Sequence, residues 1–68
     1  MAELQPYQQR VVDERNELFT KKESLKAFLG SENFDTIITD PVDRTLLEEQ
    51  RKAMKWYLEI LDNRIARF

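Results

Sequence analysis

The chain contains no cysteine, no histidine and a single glycine, Gly30. Each absence closes a class of function. Without cysteine there is no disulfide framework and no redox CxxC, and without cysteine or histidine a tight zinc site lacks its usual ligands. The commonest general base and the commonest thiol nucleophile are both missing. One glycine cannot build a phosphate-cradling glycine-rich loop. No run approaches the roughly 18 apolar residues of a membrane helix, so no membrane partner is expected. No strong excess of positive charge exists either: 11 basic against 13 acidic residues leave a net charge of −2, against a role on DNA or RNA polymers. The opening MAELQPYQQR lacks the basic-then-apolar layout of a signal peptide, and the expected location is the cytoplasm.

What is present is helix. The sequence predicts an all-α fold, a two-helix antiparallel hairpin forming one domain over 1–68, with helix 1 at about 6–29, a connector at 30–40 and helix 2 at about 41–67. Pro6 suits a first helical position, where its missing N–H would have no partner in any case. No breaker follows before Leu29, after which Gly30 is expected as a left-handed C′ residue. Asp40 and Pro41 read as N-cap and N1 of helix 2, with Asp43 at its positive end. Thr45-Leu46-Leu47-Glu48 offers a competing capping box one turn further on. In the connector, Ser31 to Asp35 can cap a single helical turn, with Phe34, Ile37 and Ile38 folding back as an apolar plug.

Register is also readable. Leu4, Val11, Leu18 and Leu25 recur every seven residues, as do Leu47, Met54, Leu61 and Phe68. Sevenfold spacing holds a seam against a partner helix. In an antiparallel hairpin, facing residues share one index sum, and 72 pairs Leu4 with Phe68, Val11 with Leu61, Leu18 with Met54 and Leu25 with Leu47. The turn then falls at Phe34–Ile38.

The adjacent row predicted for the seam is polar. Tyr7, Glu14, Lys21 and Phe28 face Arg64, Tyr57, Gln50 and Asp43 at a constant sum of 71, where a two-helix core is normally apolar. Three readings are open: a seam edge where long side chains snorkel and pair, a buried polar device that fixes register or oligomer geometry, or a lined ligand pocket. Apolar residues are in surplus as well. Val12 and Phe19 flank helix 1, and Leu46, Ala53, Trp56 and Ile60 form a further stripe on helix 2. Together with the seam, the apolar arc of helix 2 exceeds the roughly 100° one packing partner needs, so Val12, Phe19, Leu46, Trp56 and Ile60 are expected at a homo-oligomer interface.

Candidate chemistry is thin. Asp13 and Glu17 stand at i,i+4 like a hard-cation pair, but Arg10 and Lys21 one turn away make a solvated, ion-paired face the better reading. Glu48-Glu49 beside Arg51-Lys52 reads the same way. No metal, cofactor or catalytic residue is expected, and the protein is read as no enzyme. Basic residues interleaved with aromatics are more suggestive: Lys52, Lys55 and Trp56 share a face, Tyr57 and Arg64 lie on the seam, and Tyr7 and Arg10 sit at a helix start that favours anions. Aromatic rings with arginine are equipment for a nucleobase and its phosphate.

Pro6-Tyr7-Gln8-Gln9-Arg10-Val11-Val12-Asp13-Glu14 with Leu18, and Leu46-Leu47, Gln50, Met54, Tyr57, Leu61 and Arg64-Ile65, resemble small phage-encoded helical proteins of the crAss-like-phage related family. More distantly, Gln9-Arg10-Val11 with Glu17-Leu18, and the Gln50, Met54, Leu58 spacing, are similar to the phage sponges that counter CBASS and Thoeris defence. That resemblance implies a compact oligomer in the host cytoplasm that sequesters a cyclic oligonucleotide or cyclic ADP-ribose signal without cleaving it. The basic residue such cyclic-dinucleotide sponges place on helix 1 falls on Val12 here, so their pocket does not transfer. The residues available for a small nucleotide second messenger are Tyr7 for stacking, Arg10, Lys21 and Arg64 for phosphates, and Gln50 and Tyr57 for polar edges. The rival expectation is a helical adaptor or inhibitor that grips a host protein through an exposed apolar patch.

Overall fold

The computed structural model describes residues 3–68. Two long helices, α1 (Pro6–Leu29) and α3 (Pro41–Ile65), run antiparallel and are joined through a one-turn helix, α2 (Phe34–Ile37). No strand occurs among the described residues. The molecule is a rod of 50 × 16 × 14 Å, two helices thick.

Local chemistry sets most of the boundaries. Pro41 occupies the first turn of α3, and the Asp40 carboxylate accepts the Val42 N–H at 2.8 Å. The inner capping box is not used: the Thr45 hydroxyl donates to the Pro41 carbonyl at 3.1 Å instead. At the start of α1, the Gln5 N–H donates to the Gln8 side-chain oxygen at 2.8 Å. The end of α1 departs from expectation. Gly30 has φ −92° and is not left-handed. Its N–H still reaches the Lys26 carbonyl, and the Ser31 N–H and hydroxyl both donate to the Phe28 carbonyl, at 3.1 and 2.8 Å. With those end carbonyls satisfied, the chain needs no left-handed residue.

The core is small: Val11, Phe34, Leu58 and Leu61 are buried. Leu61, only 1% exposed, lies in the layer where the register of 72 sets it opposite Val11. Leu18, Leu25, Leu47 and Met54 are half-buried, while the outermost layer opens, with Leu4 and Phe68 exposed. Phe34 closes the turn end, its ring edge-on to Phe28 at 5.3 Å. The expected plug is only partly present. Ile38 is half-buried, but Ile37 is 61% exposed: the chain leaves the helix at Ile38, which is extended at φ −106° and ψ 98°, so the i, i+3, i+4 face of a continuing helix is not completed.

The second seam row also differs from the predicted one. Gln8, Arg15, Lys22 and Leu29 are the half-buried row on α1, whereas Tyr7, Glu14 and Lys21 are exposed. On α3, Leu58 and Ile65 turn inward, and Asp43, Gln50, Tyr57 and Arg64 stay exposed. The heptad allows either neighbouring row, and apolar Leu58 and Ile65 have more to gain from burial than Tyr57 and Arg64. The polar row is therefore a seam edge.

Candidate functional site

The polar edge still holds one of its predicted pairings. Tyr57, seven residues before Arg64, donates its hydroxyl to the Glu14 carboxylate across the hairpin. The phenol is held above the ordinary tyrosine range, first by that hydrogen bond, then by desolvation and the charge of Glu14, with Arg64 acting in the opposite direction. Tyr57, Glu14 and Arg64 thus form one electrostatic group. Tyr7 does something else: its ring stands edge-on to Phe68, 6.2 Å between centroids and 75° between planes. Arg10, Lys21 and Gln50 are exposed. Neither Arg10 nor Lys21 forms an ion pair among the described residues, and Asp13 accepts instead from Gln9 Nε2 at 3.0 Å. The expected ion-paired face around Asp13 and Glu17 is therefore a solvated face only. Beside Glu48, only Lys52 and Glu49 approach one another, at 3.6 Å.

A shallow open depression of about 410 Å³ is lined by Asn16, Glu17, Thr20 and Lys21, all on α1. Of the six residues proposed from sequence for a ligand, it includes Lys21 alone. A single helix supplies no convergent groups from a second element, so the depression is not a built pocket.

The five residues expected at an oligomer interface fall on two sides. Leu46, Trp56 and Ile60 are exposed together with Val42 on one arc of α3, Trp56 at 67%. Val12 and Phe19 lie on the opposite flank, the side marked by the ion pair of Arg15 Nε with Asp62 at 2.8 Å. There Phe19, 40% exposed, has the Arg15 guanidinium 5.0 Å and the Lys22 ammonium 5.4 Å from its ring centroid. Both contacts are cation–π in geometry. Arg15, Phe19 and Lys22 as a group escaped the sequence reading. Their i, i+4, i+7 spacing is the signal available in the sequence.

Comparison with known proteins matches residues 5–67 to the model of a family described as Sequestin. An uncharacterized 7.5 kDa protein of the denB–rIIB intergenic region of Enterobacteria phage T4 is 42% identical over 62 residues, covering 91% of this chain and 94% of that one. No solved structure matches. With nearly the whole hairpin inside the match, both long helices and the turn between them included, the chain belongs to the Sequestin family.

Proposed function

We propose that the protein is a phage anti-defence sponge that binds a small cyclic nucleotide-type immune signal in the host cytoplasm and holds it without cleaving it. The observation that carries this reading is the match over residues 5–67 to a family whose name denotes sequestration, together with a relative encoded by a phage. The absence of histidine and cysteine supports holding rather than turnover. The likeness to crAss-like-phage proteins and to the CBASS and Thoeris sponges belongs to the same proposal. In it, Tyr57, Arg64 and Gln50 of the polar edge, with Tyr7, Arg10 and Lys21, contact the ligand. Assembly into a homo-oligomer through Leu46, Trp56 and Ile60 covers the exposed arc of α3 and brings a second copy of these residues near the first.

Isothermal titration against a panel of cyclic di- and trinucleotides and cyclic ADP-ribose isomers tests the reading. It predicts heat for at least one of them, and silence from all of them with folded protein sinks it. The 67% exposure of Trp56 keeps one rival in view, an adaptor that grips a host protein. A stoichiometric host partner that is lost on Trp56→Asp, with no nucleotide bound, favours that rival.

A further inference from the structure

The flank opposite the polar edge carries a charge pattern that intramolecular pairing does not explain. At 3.6 residues per turn, Arg15, Phe19, Lys22 and Lys26 fall within an arc of about 60° on α1, and Arg51, Lys55, Leu58 and Asp62 fall within a matching arc of α3. The Arg15–Asp62 ion pair fixes the two arcs on one side of the hairpin. The register of 72 then sets Lys22 level with Gln50 and Arg51, and Lys55 between the levels of Arg15 and Phe19. Lys22 thus lies beside Arg51 across the hairpin and Lys55 beside Arg15, while Lys22 with Lys26 and Arg51 with Lys55 are like-charged along their own helices at i,i+4, an unfavourable arrangement without a counter-anion.

The carboxylates nearby do not answer them. Arg15 already takes Asp62, and Arg44 takes Asp35 at 2.8 Å. Glu48 and Glu59 stand within one turn of Arg51 and Lys55 along α3, yet among the described residues Lys26, Arg51 and Lys55 have no ion pair. Lys22 has only Glu23, at 3.6 Å, and its side chain is 20% exposed, covered where its ammonium lies over Phe19. A protein of net charge −2 thus concentrates positive charge on one groove, floored by Leu58 and walled by an aromatic ring.

We propose that this groove, with Lys22, Lys26, Arg51 and Lys55 as donors and Arg15 and Phe19 at its rim, binds a phosphate-bearing anion. Spacing supports a ligand with more than one phosphate group. Residues four apart on a helix are about 6 Å apart along the axis, and packed helices lie about 8–10 Å apart, so flexible Lys and Arg side chains from both helices can reach one diphosphate-sized group. Charge-assisted hydrogen bonds from both helices can hold such a group, while water on the open side makes the site salt-sensitive. The inference deepens the sponge reading by moving the phosphate contacts from the polar edge to this flank, and rests on that reading only where the anion is part of a nucleotide.

The test is a titration of the isotope-labelled full chain with inorganic pyrophosphate and, separately, with ATP, read by amide shifts. Shifts centred on Phe19, Lys22, Lys26, Arg51 and Lys55 are expected for both probes. Lys55→Glu should weaken pyrophosphate by about tenfold or more and leave the free protein melting no lower, because it relieves repulsion. Lys52→Glu, on the solvated face, should leave affinity within about twofold. Shifts confined to Tyr7, Tyr57 and Arg64, or no shift with either probe at millimolar concentration, overturn the proposal. Equal loss of affinity in Lys52→Glu and Lys55→Glu also overturns it, because the attraction would then be general charge. Pyrophosphate bound in the groove while every cyclic nucleotide gives no heat keeps this site and removes the sponge reading. A cyclic nucleotide bound without groove shifts does the reverse.

Discussion

Tyr57 of α3 donates its hydroxyl to Glu14 of α1, tying the two helices together on the side of the hairpin away from the Arg15–Asp62 ion pair. The raised phenol pKa means the folded state favours neutral, donating Tyr57. A group whose pKa is higher when folded contributes fully below its unfolded value, near pH 10, and loses that contribution as pH rises through the folded value. Thermal unfolding between about pH 8 and pH 11 should therefore show an alkaline decline that Tyr57→Phe reduces. An unchanged decline in Tyr57→Phe contradicts the link.

Gly30 adopts a backbone conformation open to any L residue, and a Cβ there would meet only the Lys26 carbonyl oxygen at 3.7 Å and that of Ala27 at 4.0 Å, ordinary contacts. Gly30→Ala should stabilise the hairpin by about 0.4–1 kcal/mol through the unfolded chain. Urea denaturation measures it, and a loss of stability would mean a left-handed helix end in solution.

Asp40 caps α3 through the Val42 N–H. Asp40→Ala should cost about 1 kcal/mol. Thr45→Ala should cost little, because its hydroxyl back-bonds to the Pro41 carbonyl and caps nothing. Equal costs in the two variants would mean that the helix starts one turn later.

Leu61, 1% exposed, sits at the tightest point of a small core that buries four of the described residues. Leu61→Ala should cost about 2–5 kcal/mol, a large share of what so small a domain holds. Trp56→Ala behaves differently: exposed at 67%, it should leave the hairpin folded and lower the solution mass measured by light scattering. An unchanged mass places the oligomer contact elsewhere or removes it.

How far these elements could be read from sequence follows from the range of the forces behind them. Pro6, Asp40 and Pro41 act on the next few residues, so both helix starts are legible without tertiary knowledge. The Val11–Leu61 layer is legible because two independent sevenfold patterns agree on a single sum. The end of α1 is less so: the Ser31 hydroxyl satisfies the Phe28 carbonyl, a local bond that removes the need for a special glycine conformation. The second seam row was ambiguous for a different reason. Rows three and four residues from the first are both compatible with a heptad, and Tyr7 and Phe28 pointed to one while Leu58 and Ile65 decided for the other. The same choice turned Tyr57 toward the edge and Arg15 and Lys22 toward the seam. The cationic groove is legible only after the side is fixed by Arg15 and Asp62, two residues 47 positions apart.

In the proposed function the hairpin holds a nucleotide signal and returns it unchanged. The most direct test mixes the folded protein with each member of a cyclic di- and trinucleotide and cyclic ADP-ribose panel, removes free ligand by filtration, and heats the complex. Chromatography of the released material should recover one panel member intact, at a fixed ratio to protein. Recovery of a cleaved product, or of no ligand from any mixture with folded protein, would contradict the account.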